Sequence, residues 1–235
     1  MDEPPNWARL PIHECGEPLV SLAEGGGESR VLSHALYAED NIPGAPSVVC
    51  VRLSVRDRLV KAASLLPEGI GLMVFDGYRP LAVQQFLYDD FTARIARERP
   101  YLSDDALRAY VGQYVASPSA DPACPPPHRT GGAVDIYLIH LHTGEPLPMG
   151  TAPDEVADAT PTRWFEDYPQ EPFTTNRRLL FHALIGAGFA NYRGEWWHYE
   201  FGNQRWANCT GAEAAIYGIA PEAASDAEFE AFGTE

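Results

Sequence analysis

Two short segments constrain the fold of this chain more than any other feature. The first reads His-Arg-Thr-Gly-Gly-Ala-Val-Asp from His128 to Asp135, and the second is Glu195-Trp-Trp-His198. Together they offer two imidazoles and a carboxylate, a ligand set that binds Zn²⁺ and leaves its fourth position open. A second carboxylate can act as a base, which completes the minimum requirement for a hydrolytic zinc site. A fold that uses these groups must bring two distant segments to one point.

The first segment is suited to bring its two ligands together. His128 and Asp135 bracket Gly131-Gly132, and glycine allows the backbone to turn so that both side chains return to one place. We therefore predict that His128 and Asp135 bind the metal. From this segment alone, a loop histidine and an unrelated surface aspartate stay open as the alternative.

The second segment combines a ligand with a base. Its aromatic residues favour a strand, on which Glu195 and His198, three positions apart, would face opposite sides. We therefore expect Glu195 at the strand entrance or on a bulge, where Gly194 gives freedom, and His198 as the third ligand. Glu195 would then be the general base. The alternative is an exposed glutamate beside a core histidine.

Arg79 is a further candidate, because it follows an apolar run over residues 71–76 that predicts a buried strand. Its guanidinium can present a rigid pair of donors to a developing oxyanion. The alternative role is a salt bridge to Asp76. His140 and His142 form a His-x-His pair next to a predicted turn, and we expect them to face solvent.

Composition limits the classes of partner. The 235 residues include 17 basic and 33 acidic side chains, for a net charge of −16. Such a field repels phosphates, which argues against nucleic acid and anionic membrane surfaces. No apolar run approaches the ~20 residues of a membrane span. The acidic start Met-Asp-Glu-Pro-Pro-Asn lacks the features of a secretory signal, so we expect a cytoplasmic protein.

Local patterns predict an α+β fold. Apolar periodicity and capping residues predict helices over residues 54–66 (N-cap Ser54), 81–99, 103–115 (N-cap Ser103) and 176–187, and strands over 71–76, 133–139 and 195–201. A Pro-containing loop, 146–173, is expected to form a lid or wall. The order favours one domain with a small, mostly antiparallel sheet and helices packed on one side. We predict an irregular segment over 1–30, the domain over 31–211 and an acidic tail over 212–235.

The motifs together resemble a known family. Three of them, Asp76-Gly-Tyr-Arg-Pro80, His128-x-x-Gly-x-Ala-Val-Asp135 and Glu195-Trp-Trp-His198, are similar to the signature motifs of the zinc D-alanyl-D-alanine dipeptidases of the VanX type. The stretch from Pro148 to Asp154 resembles a further family segment. The similarity covers most of the chain. It implies a fold shared with the zinc D,D-carboxypeptidases and the hedgehog signalling domain.

The resemblance also implies roles for individual residues. One Zn²⁺ per chain would be bound by three ligands, His128, Asp135 and His198. Glu195 would be the catalytic base, Arg79 would bind substrate and stabilise the transition state, and Asp154 would hold the substrate ammonium. The implied reaction is hydrolysis of D-Ala-D-Ala, or a closely similar D,D-dipeptide, by a zinc-activated water.

One departure from the family bears on selectivity. The vancomycin-resistance members carry serines directly before the first ligand histidine, where this chain has Pro126 and Pro127. Proline has neither a hydroxyl nor an N–H. Two alternatives stay open: a zinc D,D- or L,D-carboxypeptidase acting on longer peptidoglycan peptides, and a catalytically silent zinc-binding domain. Retention of Glu195 and Arg79 argues against the silent domain, because a structural metal needs neither.

Overall fold

A five-stranded sheet forms the centre of the protein. The computed structural model describes residues 7–23 and 30–221. In chain order the strands are β1 (Leu19–Ser21), β2 (Val31–Ser33), β3 (Cys50–Arg52), β4 (Ile70–Asp76), β5 (Ala133–His140), β6 (Ala190–Asn191) and β7 (His198–Glu200). The central sheet has the order β2-β4-β5-β7-β6, in which β2 and β4 are parallel and all other neighbours are antiparallel. The mostly antiparallel sheet is therefore confirmed.

Four predicted helices are present. The α-helices are α1 (Leu36–Glu39), α2 (Leu53–Ser64), α3 (Leu81–Glu98), α4 (Asp104–Val111), α5 (Trp164–Asp167), α6 (Phe173–Gly186) and α7 (Gln204–Thr210). Helices α2, α3, α4 and α6 match the predicted ones within about one turn, which confirms the α+β class. The other three have seven residues or fewer, too few to display an apolar period. Among the described residues, no helix combines the length and apolarity needed to cross a membrane.

The N-terminal segment is more ordered than the predicted irregular stretch over residues 1–30. Trp7–Arg9 form a 3-10 helix, and β1 pairs with β3 in a separate antiparallel sheet in which Leu19 faces Arg52. The expectation is wrong for these residues because the strand is stabilised by a partner far along the chain, which a local pattern does not reveal.

The predicted helix caps have different outcomes. Ser54 lies in the first turn of α2, so its assignment as the N-cap is wrong. The carboxylate of Glu17 supplies the missing acceptor, taking hydrogen bonds from the Ser54 N–H (2.9 Å) and hydroxyl (2.7 Å). Ser103 caps α4 as predicted, because its Oγ accepts a hydrogen bond from the Ala106 N–H at 3.3 Å.

Strand β7 is shorter than the predicted strand over residues 195–201. The N–H groups of Glu195 and Trp196 donate to the carbonyls of Tyr192 and Thr160, so these residues do not extend the strand. Glu195 therefore lies just before β7, at the strand entrance as expected.

One face of the sheet is the main apolar core. Helices α2 and α6 contribute fully buried side chains, such as Leu59 and Leu184, to the same cluster as β5. The β5 side chains in that cluster are Val134, Ile136 and Leu138. Because successive strand residues face opposite sides, Asp135 points away from this core. The core therefore fixes the strand that presents Asp135 to the other face.

Helices α3 and α4 form a second apolar cluster. Its buried members are Phe91, Ile95 and Val111, and Val156 of the 146–173 loop packs against them. The expected packing of helices on one side of the sheet thus holds for α2 and α6, whereas α3 and α4 pack on each other. Through Val156 the long loop reaches from the sheet to this helix pair.

Contacts cross both predicted limits of the domain. Leu19 pairs with Arg52 across the first limit, and the buried Tyr217 ring packs on Phe201 across the second. Residues 222–235 lie outside the described part of the chain. The division into residues 1–30, 31–211 and 212–235 stays a prediction.

Leu184→Ala tests the assigned core. Leu184 is fully buried, whereas its neighbour Ile185 on α6 is 39% exposed. We expect Leu184→Ala to lower the free energy of unfolding by about 2–5 kcal/mol, because it removes apolar contacts and leaves a cavity. The matched control Ile185→Ala should cost less than about 1 kcal/mol. Chemical denaturation measures both values, and equal losses would contradict the assignment.

Candidate active site

Three elements bring His128, Asp135 and His198 together. His128 lies in a 3-10 helix, Pro127–Thr130, at the end of the Pro-rich loop. Asp135 and His198 are direct partners in the antiparallel pairing of β5 with β7. Side chains of directly opposed residues share a face of the sheet. The strand register therefore joins two ligands that are far apart in the chain.

The three side chains converge on one point. Nε2 of His128 lies 3.2 Å from both Nδ1 of His198 and Oδ2 of Asp135, and Nδ1 of His198 lies 2.9 Å from Oδ1 of Asp135. Ligand atoms at zinc–ligand distances around a tetrahedral ion are ~3.3 Å apart. The spacing therefore suits a zinc ion, and all three residues are buried.

In each histidine ring, one nitrogen points into the cluster and the other, outer nitrogen points away from it. The hydrogen bond of the outer nitrogen determines whether the inner nitrogen carries a lone pair. Nδ1 of His128 lies 2.9 Å from the carbonyl oxygen of Gly77 and 3.1 Å from Oδ2 of Asp76, and Nε2 of His198 lies 2.7 Å from Oε1 of Glu200. Oxygen acceptors at these places require N–H groups, so the inner nitrogens of the neutral rings carry lone pairs. Three acceptors then meet with no donor between them, and a cation stabilises such an arrangement.

Without a cation, the same cluster attracts a proton. Burial opposes the charged form of His198, but its hydrogen bonds to Asp135 and Glu200 outweigh burial and raise its pKa to about 10. Burial likewise opposes ionisation of Asp135, but His128 and His198 hold the pKa of this carboxyl far below its ordinary value. Metal binding here would therefore displace a proton from His198.

Arg52 fixes the turn that carries His128. Its buried guanidinium donates from Nε to the carbonyl of Thr130 at 2.8 Å, and its backbone N–H donates to the carbonyl of Gly131 at 2.9 Å. Gly131 has a φ of 69°, the left-handed conformation that glycine favours. A Cβ at Gly132 would clash with the carbonyl oxygen of Phe201, the residue that follows β7. The predicted turn at Gly131-Gly132 is confirmed.

Glu195 stands beside the three ligands. Its Oε2 lies 4.0 Å from Nδ1 of His198, and its side chain is 12% exposed. Burial, supported by repulsion from Asp135 and Asp154, outweighs the attraction of His198 and raises the pKa of Glu195 to about 8. A dication bound by the ligands would lower this pKa, which favours an ionised carboxylate that can accept a proton.

Arg79 is held at the edge of the ligand cluster. Its Nε and Nη2 donate to Oδ2 of Asp76 at 2.9 and 2.5 Å, and its Nη1 donates to Oε1 of Gln84 at 2.9 Å. The salt bridge to Asp76, the alternative role considered from the sequence, is thus present. Nη2 also lies 3.4 Å from Oδ2 of Asp135. Burial opposes the charge on Arg79, but the neighbouring carboxylates outweigh it and raise its pKa.

Tyr37 connects Arg79 to Asp154. Its hydroxyl accepts a hydrogen bond from Nη2 of Arg79 at 3.2 Å and donates one to Oδ2 of Asp154 at 2.8 Å. Asp154 has a φ of 58°, uncommon for a residue other than glycine. The residue is open to solvent in the cavity, yet the surrounding protein, helped by Asp135, raises the pKa of Asp154 to about 6. Asp154 is therefore mostly ionised at neutral pH.

All the site residues predicted from the sequence line one cavity of about 460 Å³. These residues are Arg79, His128, Asp135, Asp154, Glu195 and His198. Helix α3, the segment 112–116 that follows α4, and the 146–173 loop form further walls of the cavity, and Pro127 also lines it. The Tyr192 hydroxyl donates to the carbonyl of Gln113 at 2.9 Å, which joins the segment before β7 to the end of α4.

Three polar side chains of the site are missing from the prediction: Tyr37, Gln84 and Glu200. Glu200 could be predicted from the sequence, because it follows His198 by two positions and alternate residues of a strand share a face. Tyr37 belongs to α1, and no motif near it indicates a site. Gln84 belongs to α3 and follows the Asp76–Pro80 motif by four positions, outside the motif itself. His140 and His142 are exposed, as expected.

Residues 48–213 match the profile of a family described as D-ala-D-ala dipeptidase. The chain belongs to this family. The matched range holds Arg79, Glu195 and the three converging ligands. Membership of the D-Ala-D-Ala dipeptidase family identifies the chain as a metallopeptidase and confirms the resemblance seen in its motifs.

Similarity to individual members of the family extends over most of the chain. A D-alanyl-D-alanine dipeptidase of Synechocystis sp. is 33% identical over 221 residues, which cover 86% of this chain and 88% of the relative. One of Enterococcus faecalis is 34% identical over 187 residues, 71% of this chain and 83% of the relative. The solved structure of the vancomycin-resistance D,D-pentapeptidase VanY in complex with Zn(II) is distantly similar, with 16% identity and a TM-score of 0.43 over 89% of this chain and 96% of that one.

Glu195→Gln should stabilise the metal-free protein at alkaline pH. The folded-state pKa of about 8 lies above the ordinary value of 4.5, so between these pH values the folded state binds more protons than the unfolded state. This group therefore lowers stability as pH rises through that range, and glutamine does not ionise. In the presence of a chelator, we expect Glu195→Gln to unfold at a higher temperature than the wild type at pH 8.5 and to show no gain at pH 4.5.

Glu166→Gln is the control for this measurement. Glu166 is paired with Arg178 through two hydrogen bonds of 2.7 Å that are exposed to solvent. Its loss should give no alkaline stabilisation. The same pH dependence in both variants would contradict the raised pKa of Glu195.

Proposed function

We propose that this protein is a zinc dipeptidase that hydrolyses D-Ala-D-Ala, or a closely similar small D,D-dipeptide, to free D-amino acids. The observation that carries the proposal is the convergence of His128, Asp135 and His198, with Oε2 of Glu195 4.0 Å from the inner nitrogen of His198. The relatives named D-alanyl-D-alanine dipeptidase support the choice of substrate.

One Zn²⁺ per chain would be held by these three ligands. Two imidazoles and a carboxylate suit zinc, and three protein ligands leave a position for water or substrate. When bound, zinc supplies a Lewis acid that polarises the peptide carbonyl and makes water acidic enough to react near neutral pH.

Glu195 moves the proton in both halves of the reaction. Its carboxylate accepts a proton from the water that adds to the peptide carbonyl. The resulting carboxylic acid then donates this proton to the nitrogen of the leaving amine as the C–N bond breaks. A zinc ion at the three ligands would lower the raised pKa of Glu195, so that its carboxylate is ionised and can make the first transfer.

Arg79 balances the negative charge that develops on the carbonyl oxygen. Its contacts with Asp76 and Gln84 hold the guanidinium in one orientation at the cavity wall. A donor that is already oriented loses little entropy when the charge develops. Such a preorganised donor is also an argument against a silent zinc-binding domain, which would need neither Arg79 nor Glu195.

Asp154 holds the ammonium group of the substrate. Its carboxylate lines the cavity, and the Tyr37 hydroxyl fixes one of its oxygens. A site built for a free amino end favours a dipeptidase over a D,D- or L,D-carboxypeptidase, whose substrate continues beyond that end. A free dipeptide also agrees with the cytoplasmic location, which stays a prediction.

With Pro126 and Pro127 at these positions, we expect the shape of the cavity to determine which dipeptide side chains are accepted. Neither residue has a hydroxyl with which to bind substrate, and Pro127 lines the cavity. The side chains accepted beyond alanine therefore depend on the apolar walls. A series of D,D-dipeptides with larger side chains measures this tolerance.

The main test is D-alanine release from D-Ala-D-Ala, with L-Ala-L-Ala as the stereochemical control. Release should require the D,D-dipeptide, stop on chelation and return when zinc is restored. We expect Glu195→Ala to bind one zinc per chain and to lose about 10²–10⁴-fold in kcat, because it removes the proton acceptor. Turnover near the wild-type value would contradict the role of Glu195.

Two other outcomes would change the assignment. Zinc-loaded protein that releases no D-alanine would contradict the proposed substrate. Efficient cleavage of N-acetyl-D-Ala-D-Ala, whose amino end carries no charge, would favour the carboxypeptidase.

Asp154→Asn should weaken substrate binding rather than the chemical step. A charge-assisted hydrogen bond contributes about 1.5–3 kcal/mol, so we expect KM for D-Ala-D-Ala to rise about 10–100-fold with kcat little changed. Because the pKa of Asp154 is about 6, the wild-type KM should also rise as pH falls below 6, and the variant should lack this rise. Asp158→Asn, on an exposed part of the same loop, is the control and should leave KM unchanged.

A further inference from the structure

Glu200 is a buried carboxylate at the outer nitrogen of His198. Its Oε1 accepts hydrogen bonds from Nε2 of His198 at 2.7 Å and from Nη1 of Arg205 at 2.6 Å. Glu200 is fully buried on β7, which has a neighbouring strand on each side, and it lies opposite Ala133 on β5 and Ala190 on β6. Burying a carboxylate is costly unless its charge is compensated. The hydrogen bonds to His198 and Arg205 compensate the charge of Glu200, and these two partners indicate its role.

The hydrogen bond to His198 selects one tautomer of the ring. In the neutral ring, the carboxylate oxygen 2.7 Å from Nε2 favours the proton on that nitrogen, which leaves the lone pair on Nδ1. Nδ1 is the atom that faces His128 and Asp135. With the proton on Nδ1 instead, an N–H would point at the other ligands and His198 could not bind a metal there.

Arg205 is in turn held between two aromatic rings. Its guanidinium carbon lies 4.7 Å from the centre of the Trp7 ring and 4.4 Å from the centre of the Tyr192 ring. Such cation–π contacts restrain the side chain as well as stabilise its charge. Trp7 belongs to the N-terminal 3-10 helix, which lies outside the family match. This segment therefore contacts the site indirectly, through Arg205.

We propose that Glu200 is a positioning residue that fixes the tautomer and the ring orientation of His198, and that Arg205 holds Glu200 in place. The inference rests on the proposed zinc site and adds a carboxylate that does not touch the metal or the substrate. An outer carboxylate of this kind also increases the basicity of the histidine it contacts.

Zinc affinity of the purified full-length protein tests the proposal. Competition with a chromophoric chelator gives the affinity, and the visible spectrum of the Co²⁺-loaded protein reports the ligand geometry. We expect Glu200→Ala to bind zinc about 10–100-fold more weakly than the wild type and to change the Co²⁺ bands. Glu200→Gln keeps an oxygen acceptor for Nε2, so its affinity should lie between those of the alanine variant and the wild type.

Glu17→Gln is the matched control. Glu17 is a partly buried carboxylate whose hydrogen bonds go to Ser54 and Tyr217 and not to a ligand. We expect it to lower thermal stability while leaving the zinc affinity and the Co²⁺ spectrum unchanged. A role of Glu200 in folding alone would give the same pattern for Glu200→Ala.

The outcomes separate this inference from the proposed function. If the wild type binds zinc and Glu200→Ala has the same affinity and Co²⁺ spectrum, the inference is wrong and the proposed function stands. If the wild type binds no zinc, both are wrong. Should Glu200→Ala not fold, Glu200→Gln and Arg205→Met decide the question, and wild-type affinity in both would overturn the inference.

Discussion

The pairing of β5 with β7 is the constraint on which the rest of the site depends. Asp135 and His198 are opposite residues in this ladder, so their side chains share a face and meet in the cavity. A slip of one residue would turn one of them to the other face and would move Val134 or Ile136 out of the apolar core. Packing against α2 and α6 opposes such a slip because it would expose large apolar side chains. The energy that maintains the core therefore also maintains the geometry of the ligands.

The site gathers more negative than positive charge. Five carboxyl groups, Asp76, Asp135, Asp154, Glu195 and Glu200, are accompanied by two guanidiniums, Arg79 and Arg205, and by the imidazole of His198. Arg79 and Arg205 lie against Asp76 and Glu200, whereas Glu195 and Asp154 have raised pKa values. A dication at the three ligands would relieve this imbalance and favour the ionised forms of both carboxyls. The residues proposed to accept a proton and to hold an ammonium, Glu195 and Asp154, would thus be the ones most sensitive to the metal.

Support for the ligands comes in large part from residues outside the chemical motifs. Arg52 hydrogen-bonds the turn after His128, and the carbonyl of Gly77 orients that imidazole. Glu200 orients the other imidazole and is held by Arg205, which stacks on Trp7. The short N-terminal elements and α7 are therefore part of the framework of the site. This support keeps one potential ligand atom from each of His128, Asp135 and His198 within 4.8 Å of the others.

The sequence by itself determined which side chains form the candidate site. His128, Asp135, Glu195 and His198 could be predicted because metal binding and proton transfer require particular side chains, and because the Gly131-Gly132 turn acts locally. The longer helices and strands could be predicted for a similar reason, since apolar periodicity is a local property. Only the tertiary structure decided the partners of these groups: the Tyr37 bridge from Arg79 to Asp154, the capping of α2 by Glu17, the β1–β3 pairing and the buried pair of Glu200 with Arg205. Each of these depends on contacts between residues far apart in the chain, and their free energies come from burial and hydrogen bonding that exist only once the sheet and the helices have packed.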